Sequence, residues 1–371
     1  MSEVAQTYPP GQHPDMPPPA GQRGLMLWLR TNLFSSWVNT LMTVVAVYLL
    51  YKIVPPILDW AVLDAVMNAA NRNECREIAQ GACWAFIKDR FSILVYGFYP
   101  SDERWRVNMA FILLCLALVP VLFDNVPFRK PGMIFSAAYP FIAGWLLLGG
   151  LGLTPVGTDE FGGMMLNTVV GVTGIAFSLP LGILLALGRQ SHLPIVKSCS
   201  VCFIEFIRGV PLITLLFVAS TMLNYFLPPG TTFDLLLRVL IMVTLFASGY
   251  IAEVVRGGLQ AIPKGQYEAA DSMGLKYWQS MRLIVLPQAL KISIPGIVNT
   301  FIGLFKDTTL VLIIGLLDVL GIGKSSLADA QWNGLSNEIY VSIAIFFFIA
   351  CFGMSRYSIY LENKLDKGYK R

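Results

Sequence analysis

The sequence predicts an all-α integral membrane protein with about eight spanning helices. Three observations predict it. Of 371 residues, 55% are hydrophobic and 13% charged, against roughly 25% charged in soluble domains. The apolar residues fall in blocks of about 20 between polar loops, the length a helix needs to cross hydrocarbon. Lys and Arg gather in alternate short loops, as the positive-inside rule requires. The net charge of +4 forms no basic stripe, so the pattern excludes a nucleic-acid partner.

Residues 1–24 are rich in Pro and Gln and have no apolar h-region. They read as a disordered tail, not a signal peptide. The first span is predicted from Trp37 to Leu58 and the second from Asn108 to Phe123. The third, Gly132 to Leu153, carries no charge, and the fourth, Gly162 to Leu187, ends at Arg189. The fifth, Ser198 to Leu227, is interrupted at Gly209 and Pro211. The sixth runs from Leu235 to Glu253, the seventh from Ile292 to Leu317 and the eighth from Ile339 to Met354. Four regions follow: a Pro-rich tail over 1–30, a three-helix extension over 31–160 with an outside loop at 59–107, a core over 161–356, and a basic tail over 357–371.

Basic residues place both termini in the cytoplasm. Arg23, Arg30, Arg129, Lys130, Arg189 and Lys197 fall on one side, with the segment Arg256 to Lys291 and the C-terminal tail. The short loops opposite carry only Lys324. The chain then sits in a bacterial-type membrane with lipid around it. Cys75 and Cys83 lie in the long outside loop. There they form either a disulfide or two buried thiols. Cys199 and Cys202 have redox-motif spacing but no nearby His, and core packing explains them.

Catalytic chemistry is not legible. The two histidines, His13 and His192, lie in the tail and in a short loop, so no His-based metal site or triad can be assembled. Gly323-Lys324-Ser325 imitates the end of a phosphate loop, but Asp318 stands where the first Gly belongs. No cofactor is expected in this chain.

The segment 262–287 is too polar to span and faces the cytoplasm. Pro263 suits a first helical position. Glu268, Ala269 and Ala270 follow on a short helix, and Gly274 ends it in a left-handed turn. A second short helix runs to Pro287. The pattern describes a helix-turn-helix knob whose small residues Ala269 and Ala270 admit another protein; a surface loop without a partner is the bland alternative.

Glu268-Ala269-Ala270, then Gly274, then Ile284, Leu286 and Pro287 at fixed spacing resemble the EAA loop of ABC importer permeases. Arg208-Gly209-Val210-Pro211, Tyr250 to Gly258, Gly265 to Glu268 and Lys306 to Leu310 are similar to the polar amino-acid uptake branch, the histidine and glutamine permease type. Val210 and Thr309 depart mildly from the Thr and Ser of that branch. This covers about 160–356 and implies a five-helix type I ABC importer core (MetI-like). The extension, with Asn32 to Trp37 and Gly81 to Phe86, resembles the membrane subunit M of general L-amino-acid transporters. The resemblance implies a sister permease in a heterodimer, two ATPase subunits that bind ATP and Mg, and a periplasmic binding protein that delivers an L-amino acid. It also implies that the EAA loop docks on the ATPase.

Ionisable groups at membrane depth are pathway candidates. Arg208 lies about ten residues into the fifth helix, about 15 Å deep. It is aimed either at a substrate carboxylate, helped by a half-helix N-terminus after the break, or at Glu205 as a structural pair. Lys306 and Asp307 read first as partners of charges across the bundle. Glu253 is spaced to pair with Arg256 or to meet a substrate ammonium; Asn167 and Asn299 are uncharged candidates. Competing functions are an ion-coupled secondary transporter, a membrane-bound enzyme, and a scaffolding subunit of an ABC complex that holds no substrate site.

Overall fold

The computed structural model describes residues 24–222, 225, 228 and 233–366. Most of the tail assigned to 1–30 lies outside them; Gly24–Asn32 forms a helix, α1, which corrects that boundary. Among the described residues, seven helices are long and apolar enough to span a membrane, and a pair bent by 102° makes eight if it is one span.

The chain divides into two compact units, one holding residues up to Val66 together with 75–82, the other 67–74 and everything from Cys83. In the first, α2 (Trp37–Leu58) starts where the Ser36 hydroxyl accepts from the Asn39 amide. Pro55 and Pro56 lie inside it and withhold two backbone donors. The ladder then slips into a π turn over Asp59–Leu63. No residue of α2 is buried, as suits a helix whose surroundings are lipid.

The second unit carries α4 (Trp84–Tyr96), α5 (Arg104–Leu122) and α6 (Arg129–Leu148). The last two form a hairpin in which Tyr139 Oη donates to the Ala110 carbonyl at 3.0 Å. α6 stops at Leu148, not Leu153, because Gly149 turns away with φ +80°. The core is built from α7 (Gly163–Arg189), α8 (Pro194–Gly209), α9 (Leu212–Phe217), α10 (Leu235–Gln260), α13 (Leu286–Asp307) and α15 (Ser336–Asp366). α7 and α10 pack through a small residue: a Cβ on Gly182 would lie 2.6 Å from Ile251 Cγ2. Between membrane helices such close approach supplies the packing energy that hydrophobic exclusion does not.

α15 overruns its predicted end, so residues 357–366 are helix and not a free tail. Tyr357 Oη donates to the Leu122 carbonyl at 2.6 Å and Lys364 pairs with Asp124, which holds this end against the α5–α6 corner. At the opposite end, Trp332 is buried against Phe86 and donates its indole N–H to Asp89 at 3.0 Å. Arg90 pairs with Asp329 beside it. α4 therefore grips the loop between α14 (Val319–Ser326) and α15.

Candidate coupling surface and pathway

The polar segment after α10 forms α11 (Lys264–Ser272), with Pro263 one position earlier than expected, as its N-cap. Gly274 turns the chain with φ +69°, a conformation that costs other residues roughly 1–2 kcal/mol. The Gly274 N–H donates to the Asp271 carbonyl at 2.9 Å. α12 (Tyr277–Ser280) follows, then a π turn over Met281–Val285. This corrects the two-helix knob: the second arm does not stop at Pro287 but runs on into α13, one helical rod from Tyr277 to Ile314. Pro287 is accommodated because it stands in the first turn of α13, where its missing N–H is not required.

Residues of the motif divide by burial. Ala270 is fully buried, with Ile284 and Leu286 packed against the cluster of Ile262, Met281, Val285 and Ala289. Ala270 thus holds the knob to its own rod, and Glu268, Ala269, Gly274 and Pro287 remain exposed. The exposed apolar groups are ones that sequence reasoning passed over: Met273 (75% exposed), Trp278 (66%), Tyr277 and Leu283. Large exposed apolar side chains grouped on a polar segment suit a protein interface. The signal was available as aromatic residues in an otherwise hydrophilic stretch.

Arg208 lies in the last turn of α8, after which Val210 and Pro211 are both extended and the chain bends by 102° into α9. Pro211 forces the break, because it clashes with a helical conformation at the residue before it. Ile207 abuts Gly249, eleven residues before the end of α10. That puts Arg208 about 16 Å from the Gln260 end of α10. The segment after the break has only six α-helical residues before a π turn, too short for a substantial dipole. The expected help from a half-helix N-terminus is therefore lost.

Glu205 does not pair with Arg208. It accepts from Arg189 Nη1 at 2.7 Å. Arg208 Nη1 instead lies 3.5 Å from Glu253, which also meets Arg189 at 2.8 Å and Arg256 at 2.9 Å. Glu253 is only 14% exposed and surrounded by three guanidinium groups, so it is committed to ion pairs and not open to a substrate ammonium. Arg208 has the longest of the three contacts and the most open side chain, at 38%. With that one long contact, most of its donors stay free. From the sequence Arg189 reads as the end of a span and a mark of topology, not as a site residue.

Along α13, Asn299 and Lys306 are exposed and Gly303 between them borders open space. Spacings of four and three residues put them on one face. Asp307 is half-buried. The predicted pairing of Lys306 and Asp307 across the bundle is not found among the described residues; neither has an ion pair. An unpaired charged pair on a membrane helix is the stronger sign of function.

Asn167 is buried, not open to a pathway. Its Nδ2 donates to Thr308 Oγ1 at 2.9 Å and to Asp318 Oδ2 at 3.2 Å, and its Oδ1 accepts from the Val319 N–H at 2.9 Å. Asp318 caps α14 through the Gly321 N–H at 2.9 Å, and its complete burial pushes its carboxyl above the usual range. The false phosphate loop is therefore an N-capped helix. Cys75 and Cys83 are both buried, and neither is free; Cys115, Cys199, Cys202 and Cys351 are free thiols. No group of three or more His, Cys, Asp or Glu among the described residues could hold a metal ion.

Comparison with known proteins follows the same lines. Residues 178–366 match the family described as binding-protein-dependent transport system inner membrane component. The chain is 49% identical to the inner membrane amino-acid ABC transporter permease protein YhdY of Escherichia coli (strain K12), over 96% of this chain and 97% of the relative. It is 48% identical to the glutamate/glutamine/aspartate/asparagine transport system permease protein BztC of Rhodobacter capsulatus, over 95% and 96%. The probable amino-acid ABC transporter permease protein PatM of Vibrio harveyi is 32% identical over 53% of this chain and 87% of its own. A crystal structure of an amino acid ABC transporter with histidines aligns with a TM-score of 0.48 at 24% identity, over 65% of this chain and 99% of that one.

Proposed function

We propose how this chain works from one premise: it belongs to the family of binding-protein-dependent transport system inner membrane components and is an amino-acid ABC transporter permease of the bacterial inner membrane. In our reading it forms half of a transmembrane pathway with a sister permease, takes its amino acid from a periplasmic binding protein, and has both termini in the cytoplasm. Two partner ATPase subunits bind ATP and Mg and hydrolyse the nucleotide. The side chains named in BztC, acidic and amide amino acids, suggest the substrates here.

One observation carries the mechanism. The helical rod from Tyr277 to Ile314, with a π turn over Met281–Val285, Pro295 inside it and a 3-10 end, has the apolar patch at one end and Lys306–Asp307 near the other. Closure of the ATPase pair on Met273, Tyr277, Trp278 and Leu283 then moves the charged pair through this one continuous helical segment. Alternating access is the consequence. Arg208, with donors to spare, supplies the two-pronged geometry a carboxylate requires; Asp307 supplies a counter-charge for an ammonium, and Asn299 lines the approach. Glu253 and its arginines fix the depth of Arg208.

The test is reconstitution of the whole complex in proteoliposomes. Uptake of labelled L-glutamate and L-glutamine is expected to need internal ATP and external binding protein and to survive ionophores. Trp278→Asp is expected to release the ATPase on purification while the permease stays in the membrane. Uptake driven by an ion gradient without ATP would overturn the reading.

A further inference from the structure

We propose that Asn167 and Thr308 are positioning residues that set the last turn of α13, and with it Lys306 and Asp307, against the start of α7 and the cap of α14. This rests on the reading that Lys306 and Asp307 face the substrate. The hydrogen-bond network has one allowed polarity. The Thr308 hydroxyl donates its single proton to the Phe305 carbonyl at 2.7 Å, so it can only accept from Asn167. Asn167 must then present Nδ2 to Thr308 and Asp318, because its oxygen is taken by the Val319 N–H. A flipped amide would set two oxygens against each other.

All three side chains are buried, where an unmet polar group costs more than a made bond gains. A backbone tie, the Gly163 N–H to the Leu317 carbonyl at 3.0 Å, adds a second link between the same elements. The chain Asn167 to Thr308 to Phe305 ends on the carbonyl one residue before Lys306. Displacement of Thr308 therefore passes to the charged pair through one peptide. α13 cannot rotate its last turn without breaking this network, so the pair keeps its heading until the network yields.

Uptake of labelled L-glutamate is measured in the reconstituted complex for Thr308→Val, which keeps shape and loses the hydroxyl, and for Thr308→Ser, which restores it. Lys306→Gln and Asp307→Asn are run beside them. The expected result is a half-saturating concentration raised about threefold or more in Thr308→Val, a maximum rate per assembled complex within about twofold of the parent, and recovery in Thr308→Ser. A hydroxyl that only stabilises the fold would lower the yield of complex and leave half-saturation alone. That outcome, with the Lys306 or Asp307 variants impaired, overturns the positioning role and spares the pathway. If neither charged variant alters uptake, the pathway reading falls and takes this inference with it. Should Thr308→Val fail to assemble, Thr308→Cys, with its weak sulfur acceptor, is read by the same criterion.

Discussion

Gly274 offers a graded perturbation of the coupling knob. Its φ is +69°, and a Cβ placed there would meet no atom within 4 Å. Substitution to Ala is therefore free of clash and carries only the left-handed penalty, roughly 1–2 kcal/mol. That shifts the local balance between the observed turn and its alternatives by about 5–30-fold. Asn, which tolerates this region better, is expected to cost less. Pro is locked near φ −65° and also deletes the N–H that reaches the Asp271 carbonyl, so the turn cannot form. In proteoliposomes with ATPase and binding protein present, uptake is expected to fall in the order Asn, Ala, Pro. Gly274→Pro should lose stimulation of ATP hydrolysis by loaded binding protein while the permease remains inserted. Wild-type uptake by assembled Gly274→Pro would refute the claim that this turn shapes a docking surface.

Other predictions follow from the ion pairs and cysteines. Arg208→Ala leaves Glu253 with Arg189 and Arg256, so the complex should assemble but take up substrate poorly, with Arg208→Lys intermediate because it keeps charge without the planar fork; wild-type uptake by Arg208→Ala removes this residue from the site. Glu253→Gln strips the hub of its charge and leaves three arginines around one amide, so detergent-extracted complex should show a lower melting temperature by fluorimetry than Arg208→Ala; equal values would deny Glu253 its central place. Cys75 and Cys83, which we expect to be joined as a disulfide, should resist a thiol-alkylating reagent until reductant is added. Labelling without reductant contradicts the bond, and labelling only from the cytoplasmic face contradicts the topology.

Span number and position were legible because hydrocarbon thickness writes itself into sequence as apolar blocks. The first span was bounded correctly even with Pro55 and Pro56 inside it, since length and hydropathy outweigh two lost donors. Ends that depend on tertiary partners were not legible. α15 continues to Asp366 because Asp124 and Leu122 receive its side chains, and a linear reading cannot see that. The same limit governs the site. Glu253 and Arg256 could be paired from their spacing, but Arg189 and Arg208 reach the same carboxylate from other helices. Asn167 looked like a pathway residue because its type and depth are those of one; only its three buried partners show its true setting.

The rod that begins at Tyr277 has a mechanical ratio. Val285 is fully buried in the cluster that anchors the knob, and under the proposed coupling the rod turns about that level. At 1.5 Å per residue, the arm from Tyr277 to Val285 is about 12 Å and the arm from Val285 to Asp307 about 33 Å. A push of about 1 Å at the Tyr277 tip thus becomes nearly 3 Å at Asp307. That gain multiplies travel and divides force by the same factor. A small stroke at the tip therefore becomes a wide displacement at the far end, and a modest load there can stall it.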